Sequence, residues 1–267
     1  MKKIFITGAT DGIGLETAKS LAALGHELML HGRSSNKLTQ TFESLAASHP
    51  KAKLTGYLAD LSDLSQVNKL TAEIKKNHQN IDIIINNAGV FKTPNPILDN
   101  GLDIRFMVNT ISPYFITKEL MPILADDGRV VNLSSAAQAP VNLKALSGEE
   151  PINDDFEAYA QSKLALTICS QEMAKDLKAN QVVVAVNPGS LLASKMVKEG
   201  FGVAGNDLSI GSNILVSASL SEQFSNKSGS YFDNDSKQFT NPHVDAQNLK
   251  KCREIVKAVE SVIVKVG

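Results

Sequence analysis

Short apolar runs alternate with amphipathic stretches through the first two-thirds of the chain. The apolar runs predict strands at Lys3–Thr7, Glu27–His31, Lys53–Leu58, Ile81–Asn86, Arg129–Ser134 and Val182–Asn187. Between them, apolar positions recur at helical spacing over Gly12–Leu24, Ser34–Ser48, Leu64–Asn77, Leu102–Leu124 and Glu157–Ala179, with Pro113 and Pro122 interrupting the fourth. Strands that are apolar on both faces and separated by helices predict a parallel sheet covered on both sides, with right-handed crossovers. No repeat, low-complexity tract or linker divides the chain, so one domain over residues 1–267 is expected. Two segments break the alternation, Gln138–Asp155 and Ser190–Asp207. Both follow strand ends, where open α/β sheets bind ligands, so both are candidate site walls.

Composition narrows the function classes. With 43% hydrophobic residues in 267, the chain can bury a large core. Lys+Arg 27 against Asp+Glu 28 leaves a net charge of −1, which gives no electrostatic case for nucleic-acid binding. Cys169 and Cys252 form no CxxC pair and suit a reducing compartment, consistent with a cytoplasmic protein. The five histidines show no metal-ligand spacing, so no metal site is expected. No run of about 18 apolar residues indicates a membrane span. The apolar stretch after Met1-Lys2-Lys3 stops at Thr7-Gly8, too short for a signal peptide, and reads as the first strand.

The turn after that strand is rich in glycine: Thr7-Gly8-Ala9-Thr10-Asp11-Gly12-Ile13-Gly14. Glycines at 8, 12 and 14 permit a tight turn and close approach of backbone to a pyrophosphate, which the helix N-terminus would attract. The spacing is GxxxGxG rather than GxGxxG, and alone it is also compatible with an ordinary turn needing positive φ. Where an acidic residue would bind the ribose 2′-hydroxyl of NAD, the second strand ends His31-Gly32-Arg33-Ser34 without a carboxylate. Arg33 suits a 2′-phosphate, which favours NADP(H) over NAD(H). Asp11 argues the other way, because a carboxylate near that phosphate would repel it.

Tyr159 and Lys163 stand at i and i+4, on one face of the long helix. A phenol with a reference pKa of about 10 is a poor acid at neutral pH, and a nearby ammonium improves it. Ser134-Ser135 ends the fifth predicted strand, Asn86-Asn87-Ala88-Gly89 the fourth, and Asn109 lies in the helix between. Each has an ordinary structural reading by itself. In this order and at these strand ends, together with Asp60-Leu61 and Asn187-Pro188-Gly189, the chain resembles the short-chain dehydrogenase/reductase family over about residues 3–235. It looks most like the retinol-dehydrogenase-like branch, through the gap between Ser135 and Tyr159, the Tyr159–Ala165 run and Ser228-Gly229-Ser230-Tyr231-Phe232-Asp233.

The resemblance implies a doubly wound, Rossmann-like three-layer sandwich with a seven-stranded parallel sheet. It implies Tyr159 as general acid/base, Ser135 as hydrogen-bond partner of the substrate oxygen, and Lys163 on the nicotinamide ribose. Asn109 would support a water-linked proton relay to Lys163. Gly8, Thr10, Asp11, Gly12, Ile13 and Gly14 would hold the pyrophosphate end. Asp60 and Leu61 would meet the adenine, Asn87, Ala88 and Gly89 its ribose, and Pro188 and Gly189 the nicotinamide. Where the family carries a threonine after Pro188-Gly189, this chain has Ala193, followed by Ser194. Residues of about 190–207 would form a substrate lid, and Leu191, Leu192, Met196, Val197, Phe201 and Val203 make it apolar, which points to a lipophilic carbonyl or alcohol substrate. A homodimer or homotetramer is also implied. The rival expectations are a catalytically silent NADP-sensing protein on the same fold and, last, a sugar-nucleotide epimerase.

Overall fold

The computed structural model describes residues 1–193, 202 and 204–267. Strands β1 (Lys3–Ile6), β2 (Glu27–Gly32), β3 (Lys53–Leu58), β4 (Ile81–Asn86), β5 (Leu124–Leu133), β6 (Val182–Asn187), β7 (Tyr231–Asp233) and β8 (Gln238–Thr240) form one sheet. Their order is β3-β2-β1-β4-β5-β6-β7-β8. Helices α1 (Gly12–Ala23), α2 (Ser35–Ser48), α3 (Leu64–Asn77), α4 (Ile104–Phe106, continuing through Met107–Ile111 and Ser112–Leu120), α5 (Leu143–Leu146), α6 (Asp155–Met173), α7 (Leu208–Leu220) and α8 (Leu249–Val266) accompany it. Among the described residues, no helix is long and apolar enough to cross a membrane.

Alternate strand residues sort to opposite faces, and both faces are apolar. Ile4, Ile6, Ile83 and Ile85 pack with Ala18 and Leu21 of α1 and Ile214 and Leu215 of α7. Phe5 and Ile84 point the other way, toward Val67 and Ile74 of α3, Ile116 of α4 and Leu164 and Ile168 of α6. That double burial is why the strands read as continuous apolar runs. The chain winds outward from β1 to β3, then returns to place β4 beside β1 and winds outward again. The reversal leaves a crevice beyond the carboxyl ends of β1 and β4.

The expected seven parallel strands are present, and an eighth is added. β8 pairs antiparallel with β7. Phe239 of β8 packs against Phe224 and Phe232 with ring centroids 5.1 and 5.0 Å apart, which ties this short strand to the sheet edge. Three further boundaries differ from the sequence expectation. The helix expected over Leu102–Leu124 spans Ile104–Leu120 and widens to a π turn at Met107–Ile111. Pro113 has no N–H to give the carbonyl of residue 109, and Ser112 N–H instead bonds five residues back to Met107 O. β5 begins at Leu124 rather than Arg129. The long helix starts at Asp155 and stops at Met173 rather than running to Ala179. α8, beyond the stretch where the sequence pattern was read, lays Cys252, Ile255, Val259 and Val262 on the α6 side of the core.

One buried polar residue joins three strand ends. His31, 2% exposed, accepts the Gly8 N–H at Nδ1 (3.2 Å) and donates through Nε2 to Ala59 O (3.0 Å). Only the neutral ring can accept at Nδ1, and burial lowers its pKa to about 4. The unfolded chain takes up this proton near its reference value of about 6.5, whereas the folded one resists until about 4. Stability should therefore fall as pH drops between these values, by about 3 kcal/mol from this residue. Urea melts at pH 7, 5.5 and 4.5 should show His31→Gln with a shallower pH dependence than the wild type; equal slopes would refute this account.

Candidate active site

The glycine turn is held by backbone geometry. Gly8 and Gly12 adopt φ of 65° and 53°, the left-handed region where a side chain is strained. A Cβ on Gly14 would lie 2.2 Å from Gly8 O and 2.3 Å from Asn87 Nδ2. Asn87 Nδ2 donates to Thr7 O (2.9 Å) and Gly8 O (3.1 Å), while Thr7 Oγ1 accepts the N–H groups of Asn87 (3.0 Å) and Ala88 (3.1 Å). The turn and the end of β4 thus form one rigid unit at the crevice. With a bare backbone there and the N-terminus of α1 behind it, the cradle fits a pyrophosphate.

This cradle lies at one end of a cleft of about 940 Å³. The cleft brings together Gly8, Thr10, Asp11, Gly12, Ile13, Gly14, Arg33, Asp60, Leu61, Asn87, Ala88, Gly89, Ser135, Tyr159, Lys163, Pro188 and Gly189. Of the sequence-derived site residues, Asn109 alone is not on its wall. Asn109 is fully buried; its Oδ1 accepts Val90 N–H (2.8 Å) and its Nδ2 donates to Val90 O (2.9 Å) and Ser162 Oγ (2.9 Å). The side chain fastens the loop after β4 to α6.

Within the cradle, Asp11 caps α1 through Gly12 N–H (2.8 Å) and pairs with Lys37 Nζ (2.6 Å). The objection raised by the Asp11 charge is therefore answered by a neighbour that the sequence reading missed. Lys37 sits in the first turn of α2, whose N-cap is Ser34, and lines the cleft with Arg33. Its position four residues after Arg33 was the available signal. Asp60 Oδ1 accepts from Ser62 N–H (2.9 Å) and Ser62 Oγ (2.7 Å), which fixes the turn after β3.

At the other end Tyr159, Ser135 and Lys163 meet. The Ser135 side chain lies near enough to the Tyr159 phenol to act on its pKa. Lys163, 2% exposed, donates to Leu133 O (2.6 Å) and lies 5.6 Å from the Tyr159 ring centroid. Burial raises the Tyr159 pKa and the Ser135 side chain pulls it down. Burial lowers Lys163 to about 7. Phe91, nearly buried, stands edge-on to Tyr159 at 5.2 Å and to Phe156 at 6.4 Å. Both phenylalanines line the cleft and neither was singled out from sequence, because an isolated aromatic on a helix start or loop carries no pattern.

α6, which carries Tyr159 and Lys163, is anchored at its start. Asp154 caps it through Glu157 N–H (2.7 Å), and the buried Arg105 grips Asp155 (2.6 Å) while holding Asp103 through Nε (2.8 Å) and Nη2 (2.6 Å). Beyond β6, Asn187 Nδ2 donates to Asp233 (2.7 Å) and Asp235 (2.9 Å), and Asn234 Nδ2 donates to Pro188 O (2.8 Å). Ala193 N–H bonds Asn206 O (2.6 Å). Ser194, Met196, Val197, Phe201 and Val203 lie outside the described residues.

Comparison with known proteins agrees with this picture. The chain is 30% identical over 193 residues to retinol dehydrogenase 13 of Homo sapiens, covering 70% of this chain and 58% of that protein. It is 33% identical over 205 residues to retinol dehydrogenase 12 of Bos taurus, covering 75% of this chain and 64% of that one. The chain thus spans about three-fifths of the length of these relatives. A crystal structure of an uncharacterized protein from Mycobacterium paratuberculosis shares the fold, with TM-score 0.80 at 24% identity over 98% of this chain and 93% of the other. The short chain dehydrogenase pattern matches residues 2–203, so this chain, whose strand ends carry the serine and glycine turn and whose helix α6 carries the tyrosine and lysine described above, belongs to the short chain dehydrogenase family.

Proposed function

We propose that the chain is an oxidoreductase that uses NADP(H) in preference to NAD(H) to interconvert a small lipophilic carbonyl compound and its alcohol, with Tyr159 as general acid/base. The observation that carries this reading is that Tyr159, Ser135 and Lys163 meet in the same cleft as the glycine cradle, with Lys163 Nζ 5.6 Å from the Tyr159 ring centroid. When bound, the cofactor supplies or accepts the hydride.

The chain's own residues do the rest. The Gly8–Gly14 turn and the N-terminus of α1 hold the pyrophosphate. Asp60 and Leu61 meet the adenine, Asn87, Ala88 and Gly89 flank its ribose, and Pro188 and Gly189 line the nicotinamide end. At neutral pH burial keeps Tyr159 protonated, so its hydroxyl can donate to a carbonyl oxygen. Ser135 gives that oxygen a second hydrogen bond. Lys163 Nζ favours the phenolate left behind and holds the nicotinamide ribose. In the opposite direction the phenolate takes the alcohol proton. Asn109 acts from behind, by keeping the loop after β4 and α6 in register. Phe91, Phe156, Leu191 and Leu192 on the cleft wall favour an apolar substrate body.

Tyr159→Phe should lose about 10²–10⁴-fold in turnover while keeping its fold and NADPH affinity. The assay is NADPH oxidation with a panel of aliphatic, terpenoid and aromatic aldehydes and ketones. Full activity in Tyr159→Phe would remove it as the acid/base. NADPH binding with no turnover across the panel would favour a cofactor-sensing protein on the same fold.

The cofactor preference rests on Arg33, aided by Lys37. Arg33→Ala should weaken NADPH binding about 10–100-fold, the size of a charge-assisted hydrogen bond, and leave NADH within about twofold. Asp11→Asn should tighten NADPH, because it frees Lys37 from its carboxylate partner. Titration calorimetry with both cofactors checks this; equal losses for NADPH and NADH in Arg33→Ala would show that Arg33 does not read the 2′-phosphate.

A further inference from the structure

The Ser228–Asp233 stretch entered the sequence reading only as a family marker, yet its tyrosine touches the active site. Tyr231 stands on β7 opposite Ala185 of β6, a small residue that leaves room for a ring crossing β6. Its hydroxyl reaches Ser135 O at 3.0 Å. Gln138 Nε2 donates to the same carbonyl, also at 3.0 Å, while Gln138 Oε1 accepts His243 N–H at 2.9 Å. A third bond ties the hydroxyl side of the same residue, from Ala137 N–H to Ser135 Oγ at 3.1 Å.

We infer that Tyr231 and Gln138 are positioning residues for Ser135, two donors on one carbonyl that fix where the serine hydroxyl meets the reacting oxygen. The inference rests on the reading of Ser135 under Proposed function. Ser135 lies two residues past the end of β5, beyond the last bond to β6, Ser134 N–H to Val186 O, so its backbone needs another restraint. Tyr231 can supply it only as a donor. It is 5% exposed, and burial together with the charges of Asp233 and Asp235 pushes its pKa up, so the phenol keeps its proton. The arrangement links β7, next to the edge strand β8, to the proposed chemistry beyond the end of β5. A small displacement of Ser135 would move its hydroxyl relative to Tyr159 and to the substrate oxygen together, and misplacement of this kind is costly in turnover.

A double-mutant cycle tests this, run on the enzyme with NADPH and the fastest aldehyde of the panel. Tyr231→Phe should lower kcat about fivefold to tenfold, the size of one hydrogen bond, and leave KM for NADPH within about twofold. In a Ser135→Ala background the same change should cost less than about twofold, because the group it positions is gone. Additive losses, or wild-type kcat in Tyr231→Phe, overturn the positioning role and leave the Ser135 assignment standing. Full activity in Ser135→Ala alone overturns both. Gln138→Leu removes the other donor and gives the same test if Tyr231→Phe does not fold.

Discussion

The contact between the glycine turn and the end of β4 is the constraint on which the rest depends. Gly14 sits so close to Gly8 O and Asn87 Nδ2 that no Cβ fits between them. Asn87 and Thr7 then stitch the two strand ends together with four hydrogen bonds. These strands are neighbours because the chain reverses direction between them. The crevice produced by the reversal is thus closed at its base and open toward solvent, with backbone lining its floor. His31 extends the unit to β2 and the residue after β3. A long dinucleotide needs such a rigid floor, because every flexible contact would have to be ordered on binding.

The second half of the site hangs on α6. This helix is buried almost all round, so it cannot be positioned by an amphipathic stripe alone. Polar fastenings do it instead. Arg105 and Asp154 hold its start, Asn109 and Thr110 bond Ser162, and Ser134 bonds Thr167 and Lys163 O. A buried chain from Thr117 through Asn86 and Asn132 to Ser170 crosses from α4 over β4 and β5 to the same helix. Buried polar groups of this kind specify one arrangement because each alternative leaves a donor or acceptor unpaired.

The layers and most of the site were legible in the sequence for a simple reason. A two-faced parallel sheet writes apolar runs of strand length, and β1 to β4 and β6 fall within a residue of where those runs lie. The glycine turn and the Tyr159/Lys163 spacing are local patterns, so they survive in one dimension. What was hidden depends on distant partners. Lys37 matters because it faces Asp11, and Tyr231 because it crosses β6 to Ser135. Asn109 was legible as a site residue but not as a buried strut, since sequence does not say which way a helix residue points when a π turn intervenes. β8 was missed because three residues joined by a tight turn carry too little pattern.

Burial at the Tyr159–Lys163 pair has opposite effects on its two members. It disfavours both the phenolate and the ammonium, raising the tyrosine and lowering the lysine. Burial alone therefore keeps the tyrosine protonated but makes it a weaker acid, and leaves the lysine only partly charged near neutral pH. The Ser135 side chain works against this on the tyrosine, pulling its pKa down. Its effect depends on distance and angle, which are set by a backbone carbonyl held from β7 and from Gln138. The protonation of the pair is thus placed partly in the hands of residues outside the Tyr–Lys helix, on β7 and in the loop after β5.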